Sequence, residues 1–458
     1  MVFWSEKKIL WGIIGLYILI FGVTTAIRQY HFQTQAWDMG IFTQIFWNAA
    51  HGNGFTGTLE EIPNHFGIHF SPFFYILLPF YALFPRAYTL LWLQTIALGL
   101  GAWPLYALAK KILQDQRWAI IITVGYLLYP SLHWINFFDF HEIAFFIPLF
   151  ITALYFLETA QWQWMSLFLL LAAMTREDAS VFIFFAGIYA LLKRQKKAGI
   201  GILIFSAIYF LISAKMIMPA LGGGLLRLDR YGQFGSTASE IIKNILTRPS
   251  LLWTTVVTAE KFQYLLWSFL PVAFLPFFSR FAFLLLAPGL LENLLTRYGS
   301  QFSGLYQYDA VLIPGVFIGA MYGIYYLQKY PKQYLQYLII GTIITGYLLR
   351  SPLNPISFPL EIFQSNPKWD SYRTILQFIP AQASVAAHTN FVPHLAQRKN
   401  IFMLGQETLE PDYLLIDATD AFGFKNEVEF NAYFDRYAES GLYEIKVFEG
   451  KYLLLGKK

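Results

Sequence analysis

No charged residue interrupts the chain between Ile9 and Ile27, and apolar runs of the same character recur through its first three quarters. About twenty apolar residues wound as a helix cross the roughly 30 Å of a bilayer's hydrocarbon, and a helix satisfies its own backbone there. Of the 458 residues 56% are hydrophobic and only 13% charged, against about a quarter charged in a soluble domain. These runs predict a mainly α, polytopic transmembrane helical bundle of about eleven spans.

The formal charge of +5 resides in short basic clusters between apolar runs. No basic stripe or base-stacking module accompanies them, so nucleic acid is not an expected partner. The absence of cysteine removes disulfides, thiolate metal sites and cysteine nucleophiles. Lys7 and Lys8 precede the first run, but its length and the lack of a small-residue cleavage site point to an uncleaved span rather than a signal peptide.

Loops rich in Lys and Arg stay cytoplasmic. That rule puts Lys7/Lys8, Lys110/Lys111 with Arg117, Lys193/Arg194/Lys196/Lys197, Arg280 and Lys329/Lys332 inside the plasma membrane. The expected organisation is a transmembrane domain over 1–350, N-terminus cytoplasmic, with long outer loops at 28–87 and 220–262. A Pro-rich linker then leads to a C-terminal soluble α/β domain within 351–458, placed on the exoplasmic side. Its strand-like runs are "ASVAAH", "NIFML", "DYLLIDA" and the pair "YEIKVFEG" and "KYLLLGK", joined through Glu449-Gly450. The stretch His69 to Pro85 is apolar but short and broken by proline, which marks it as non-spanning.

Under this topology one face collects Asp38, Glu60, Glu61, His65, His69, Asp139, His141, Glu142, Arg176, Glu177, Asp178, Arg297 and Asp309. Ionised groups at mid-bilayer cost about 2.5 to 3.5 kcal/mol each on insertion scales, so such a set must face water, one another or a cavity. Asp38 has two readings: a cap on the helix of "MGIFTQIFWNAAHG", whose stripe Phe42, Ile45, Phe46 and Ala49 suits a membrane surface, or a general base. In "FFDFHE", Asp139, His141 and Glu142 suit orientation of a sugar and a phosphate, or a divalent cation such as magnesium or manganese on Asp139 and Glu142, against an ordinary solvated helix end. In "TREDAS", Arg176 suits a phosphate and Glu177 and Asp178 an acceptor or a metal; the alternative is an internally paired plug. His65 and His69 have the i,i+4 spacing of helical zinc ligands without the glutamate of a zinc protease, which favours hydrogen-bonding histidines. Arg297 is a further phosphate candidate. No GxGxxG, P-loop, GxSxG or EF-hand spacing is present.

The stretches "AWDMGIFTQIFWNAAHGNGF", "HFGIHFSPFFYILLPFYALFP", "LYPSLHWINFFDFHEIAF" and "AMTREDAS" resemble a family of prokaryotic predicted membrane proteins defined only as a domain of unknown function. That family is similar in turn to the GT-C membrane glycosyltransferases, which include the protein O-mannosyltransferases and the lipid A aminoarabinose transferase. The resemblance implies a catalytic acid in the first outer loop, matched by Asp38, and a second acid, matched by Asp139 or Glu142. Arg176 corresponds to a polar tip after a short helix, while Asp-Phe-His-Glu departs from a clean Asp-x-Asp or Asp-x-Glu pattern. The implied activity is transfer of a sugar from a polyprenyl-phosphate donor among the membrane lipids to a glycan, lipid or protein acceptor. A lipid or small-molecule transporter or flippase, or a non-catalytic envelope scaffold, is the alternative.

Overall fold

A computed structural model describes residues 6–328, 332–449 and 452–458; Lys329 and Gly450, named above, lie outside the described residues. The chain divides into two compact units. The first gathers the chain up to Val23, Phe66–Phe74 and Leu93–Pro359; the second gathers Thr24–His65, Tyr75–Trp92 and Leu360–Lys458.

The helices run in chain order as α1 (Glu6–Tyr30), α2 (Ile41–Ala50), α3 (Phe74–Leu83), α4 (Ala87–Leu100), α5 (Ala102–Leu113) and α6 (Gln116–Leu127), then α7 (Pro130–Phe137), α8 (Phe146–Glu158), α9 (Trp162–Ala173), α10 (Ala179–Leu192) and α11 (Lys196–Ile212). By length and composition three described stretches can cross a membrane, Lys7–Tyr30, Ala87–Leu113 and Lys196–Ala220, with α6 and α7 a fourth if that pair, bent by 40°, counts as one span. This is fewer than the eleven spans expected. The physical reason is length: α9, α10 and the helix Ile313–Leu327 have 12, 14 and 15 residues, and helices of that size rise only about 18 to 22 Å. An apolar run that short suits a core helix as well as a span, and Ile313–Leu327 is indeed buried along most of its length. The α3 helix has 10 residues with Pro79 inside, below spanning length. The 220–262 segment, expected as a loop, is largely helical, with Ala238–Thr247 and Pro249–Val256.

The first unit closes on one continuous apolar core running from Leu10 on α1 to Leu353. Its tightest seam is a stripe of small residues on Ile313–Leu327. A Cβ on Gly315 would stand 2.6 Å from the Leu285 carbonyl oxygen and one on Gly319 2.8 Å from Pro276 Cβ, while one on Gly323 would overlap the Leu275 carbonyl oxygen. Glycine every fourth residue lets neighbouring backbone lie against this helix face, the usual route to close approach where lipid offers no hydrophobic drive. Lys261 closes a second seam. Its buried Nζ donates to the carbonyls of Thr255, Leu294 and Thr296, at the C-terminal ends of two helices.

The second unit is built around a five-stranded sheet of order β2-β1-β3-β5-β4. Strands β1 (Val385–Ala387), β2 (Ile401–Met403) and β3 (Tyr413–Asp417) are parallel, and β5 (Tyr452–Lys457) runs antiparallel to both β3 and β4 (Tyr443–Glu449). Period-two alternation sends Val385, Ala387 and Leu415 to one face and Ala386, Leu414 and Ile416 to the other. Phe430, Tyr433 and Tyr437 of the helix Glu427–Ala438 cover the second face. The first is covered by Trp369 and Tyr372 together with Phe32 and Ala36 of the segment after α1. The sheet of the C-terminal segment thus completes its core with the first loop. The Phe42, Ile45 and Phe46 stripe of α2, read as membrane-facing, is buried, with Phe46 against Phe55 and Tyr81.

Gly323→Ala is expected to lower the unfolding midpoint in detergent, at a cost of about 1 to 3 kcal/mol. Gly341→Ala, where a Cβ meets nothing within 4 Å, is expected to leave the midpoint unchanged or raise it slightly. Equal effects of the two would remove the packing explanation.

A charged cleft in the first unit and a strained aspartate in the second

The polar tip between α9 and α10 is where the first unit concentrates its charge. Arg176 is 7% exposed and is held by a bidentate pair with Asp178, Nε to Oδ1 at 2.7 Å and Nη2 to Oδ2 at 2.6 Å. Glu142 at 4.0 Å and Glu292 at 3.9 Å flank the same guanidinium. Glu177, between the two paired residues, turns the other way: His69 Nδ1 lies 3.1 Å from its Oε1, and the Phe70 N–H donates to its Oε2 at 2.9 Å. Burial pushes the Glu177 carboxyl up, yet the His69 ring and Arg176 outweigh it and hold the group below the usual carboxylate range.

His69, Arg176, Glu177 and Asp178 line one cleft of about 480 Å³ together with Arg227, Arg230 and Glu292. The second long loop reaches this cleft through its GGG run. The Gly224 N–H donates to the Gly67 carbonyl at 3.0 Å, and a Cβ on Gly223 would overlap that carbonyl group, so only glycine allows the approach. Arg230 lies over the rings of Tyr298 at 4.7 Å and Tyr308 at 5.1 Å, contacts that orient a guanidinium without neutralising it. Apolar side chains share the lining, with Val181 and Phe185 of α10, Phe210 of α11, Ile242 and Leu291. One cavity therefore combines guanidinium groups and acids with hydrocarbon in its lining, and guanidinium groups beside hydrocarbon suit an anionic amphiphile.

Other expected site residues are placed elsewhere. Asp139 is buried with a positive φ of 32°. Its turn is pinned by Gln94, which donates to the Asp139 carbonyl at 2.8 Å and accepts from the His141 N–H at 2.7 Å. The His141 ring stacks on Phe138, 5.5 Å between centroids. None of Asp139, His141 and Glu142 is among the residues lining the cleft; Glu142 stands 4.0 Å from Arg176, which does line it. Among the described residues no three His, Asp or Glu side chains come together to hold a metal ion. Arg297 is exposed and contributes a long backbone hydrogen bond, 3.5 Å, to the Arg230 carbonyl. Asp309 is buried against the Tyr264 hydroxyl at 2.7 Å. The His65–Gly67 stretch is a single 3-10 turn. His65 is 3.0 Å from the Glu60 carboxylate, so each of the two histidines faces a carboxylate.

In the second unit, Asp38 sits in a kink before α2 with φ 75° and ψ −81°. This is close to the rare γ-turn conformation with positive φ, strained for a residue that is not glycine. The kink is held from the segment after β1. The Ala36 N–H donates to Thr389 Oγ1 at 3.0 Å, and a Cβ on Gly40 would lie 2.8 Å from Val392 Cγ1.

Arg227, Arg230 and Glu292 were not singled out in the sequence. "LLENLL" carried a usable signal, a lone acid in an apolar run; "LRLDRYG" shows only a mixed-charge loop.

Helices of membrane-spanning length and a charged cleft partly lined by hydrocarbon define a helical membrane protein. The chain belongs to the family of predicted membrane proteins designated DUF2079, which it matches over residues 28–452. No curated protein matches it.

Burial and the neighbouring Asp178 carboxylate push the Glu292 carboxyl from its ordinary 4.5 up to about 8, against the pull of Arg176 and Arg230. Across that window the folded chain keeps a proton that the unfolded chain has released, so stability falls as pH rises. The unfolding midpoint of the parent is expected to decline between about pH 5 and pH 8, and that of Glu292→Gln to decline less. Parallel profiles would show that Glu292 is not the group responsible.

Proposed function

We propose that the protein is a membrane glycosyltransferase whose lipid-phosphate-linked sugar donor occupies the cleft of the first unit. The single observation that carries this reading is the pairing, in one cavity, of Arg176, Arg227 and Arg230 with apolar side chains. The helix Ala238–Thr247 beside it exposes Ile242 at 60% and Leu246 at 77%, one turn apart, as an interfacial helix bordering lipid does. In this reading the arginines bind the donor phosphate and the lipid chain follows the apolar side chains.

The reaction is a substitution at the anomeric carbon. An acceptor hydroxyl forms the new C–O bond, the bond to the donor phosphate oxygen breaks, and the phosphate leaves on the lipid with the electron pair. Fixed guanidinium groups stabilise that departing charge more as it develops. A carboxylate takes the acceptor proton. The GT-C resemblance gives a catalytic role to Asp38, and its strained backbone fits a functional position. Glu177, kept ionised beside His69, is the acid that the cleft itself offers. We propose the plasma membrane as the location, with the lysine-rich helix ends cytoplasmic.

The test is sugar transfer by the full chain in membranes supplied with radiolabelled polyprenyl-phosphate sugars. Asp38→Asn is expected to reduce kcat by about 10² to 10⁴, the usual worth of a general base, and Arg230→Gln to raise KM by about 10- to 100-fold through loss of a charge-assisted phosphate contact. Full activity of Asp38→Asn with loss in Glu177→Gln would move the base to the cleft dyad. No transfer by the parent, with labelled lipid still bound, would favour a lipid transporter.

A further inference from the structure

The α9–α11 helices carry a second cavity at the end opposite the charged tip. The charged cleft takes residues from the tip after α9, the start of α10 and the end of α11. The second cavity, about 620 Å³, is lined by the first halves of α9 and α11 and by the turn before α11. Its interior is apolar, with Met165, Leu169, Ile202 and Phe205, and its mouth carries Lys196 and Lys197, both exposed, beside Gln195 and Trp162. Lys193 in the same turn is engaged by Glu158 and the Tyr322 hydroxyl.

A glycine shows that this space is not a packing defect. At Gly199 a Cβ would lie 2.7 Å from Leu191 Cδ2 and 2.9 Å from the Gly187 carbonyl oxygen, so helix packing demands glycine there. Two residues on, Gly201 lines the cavity, and a Cβ there would meet nothing within 4 Å. Glycine inside a helix costs about 0.5 to 1 kcal/mol relative to alanine, and no neighbouring atom requires it at 201. What it leaves is width for an occupant. Gln195 adds a buried Oε1 that no donor among the described residues reaches.

The geometry points to a binding site for an anionic phospholipid, one acyl chain lying in the groove between α9 and α11 and the headgroup phosphate between Lys196 and Lys197. Charge complementarity selects this occupant over a neutral lipid: basic pockets between membrane helices take anionic headgroups, and each lysine near the surface favours them several-fold. Trp162, 45% exposed at the mouth, marks headgroup depth. A glycerol headgroup would also bring a hydroxyl donor to Gln195. The site is independent of the proposed transferase activity and lies away from its cleft.

The test is native mass spectrometry of the detergent-solubilised full chain titrated with dioleoyl phosphatidylglycerol or dioleoyl phosphatidylcholine. The parent is expected to retain one phosphatidylglycerol in preference to phosphatidylcholine. Lys196→Gln/Lys197→Gln should weaken that retention about 25-fold, from about five-fold per lysine. Gly201→Phe, which fills the groove without meeting protein atoms at Cβ, should abolish it, whereas Gly201→Ala should keep it; circular dichroism confirms that each variant is folded. Equal retention of the two lipids by the parent, or undiminished phosphatidylglycerol in both the lysine pair and Gly201→Phe, overturns the proposal. A dimer mass that Gly201→Phe converts to monomer, with no retained lipid, gives the groove to a second copy and overturns it as well.

Discussion

A guanidinium buried in so apolar a chain is the constraint on which the first unit turns. An unpaired ion in such surroundings costs several kcal/mol, and Arg176 avoids that cost only because Asp178 pairs with it and Glu142 and Glu292 stand within 4.0 Å. These carboxylates come from the tip, from the turn after α7 and from the helix Ala287–Leu295, so satisfying one charge fixes three parts of the chain. Alternation along the tip sends Glu177 to the opposite side, where His69 and the Phe70 N–H receive it. The same tip therefore organises the wall of the cleft and ties the Phe66–Phe74 segment to it.

The α9–α11 helices gain a chemical direction from this arrangement. Their tip end is a dense mixture of acids and arginines, where burial and the neighbouring Asp178 push the Glu292 carboxyl up. Their other end is lysine-rich and opens on an uncharged groove. The short helices α9 and α10 stand beside α11, which begins a stretch long enough to span. Glycines enforce the contrast: Gly199 and Gly187 bring α10 and α11 together, while Gly201 leaves its side of α11 open.

The second unit shows a different dependence. Its sheet has two apolar faces, and the C-terminal segment alone supplies helices for one and part of the other. Phe32 and Ala36, more than three hundred residues earlier in the chain, finish the cover, and Thr58 accepts from the Ile401 N–H and donates to the Ile401 carbonyl along the otherwise open edge of β2. An unpaired edge invites association with other strands; here a threonine from the first loop occupies it. The consequence for Asp38 is that its strained turn is braced by the sheet domain as well as by the start of the helix that follows it.

The membrane character, the short helices on either side of the TREDAS tip and all five strands were legible in the sequence, because each depends on local periodicity and on breaks by glycine, proline or charge. Family membership was legible as well, in the AWDMG and FFDFHE motifs. Span number was not, since a run of twelve to fifteen apolar residues looks the same whether lipid or protein covers it. Nor was the composition of the site: Arg227, Arg230 and Glu292 join Arg176 through contacts between segments fifty or more residues apart, whereas Asp139 and His141, adjacent to Glu142 in sequence, turn away on a backbone held by Gln94. Local spacing determines which elements form; only the folded chain decides which of their side chains share a cavity, because burial, charge pairing and close backbone approach are properties of the assembled packing.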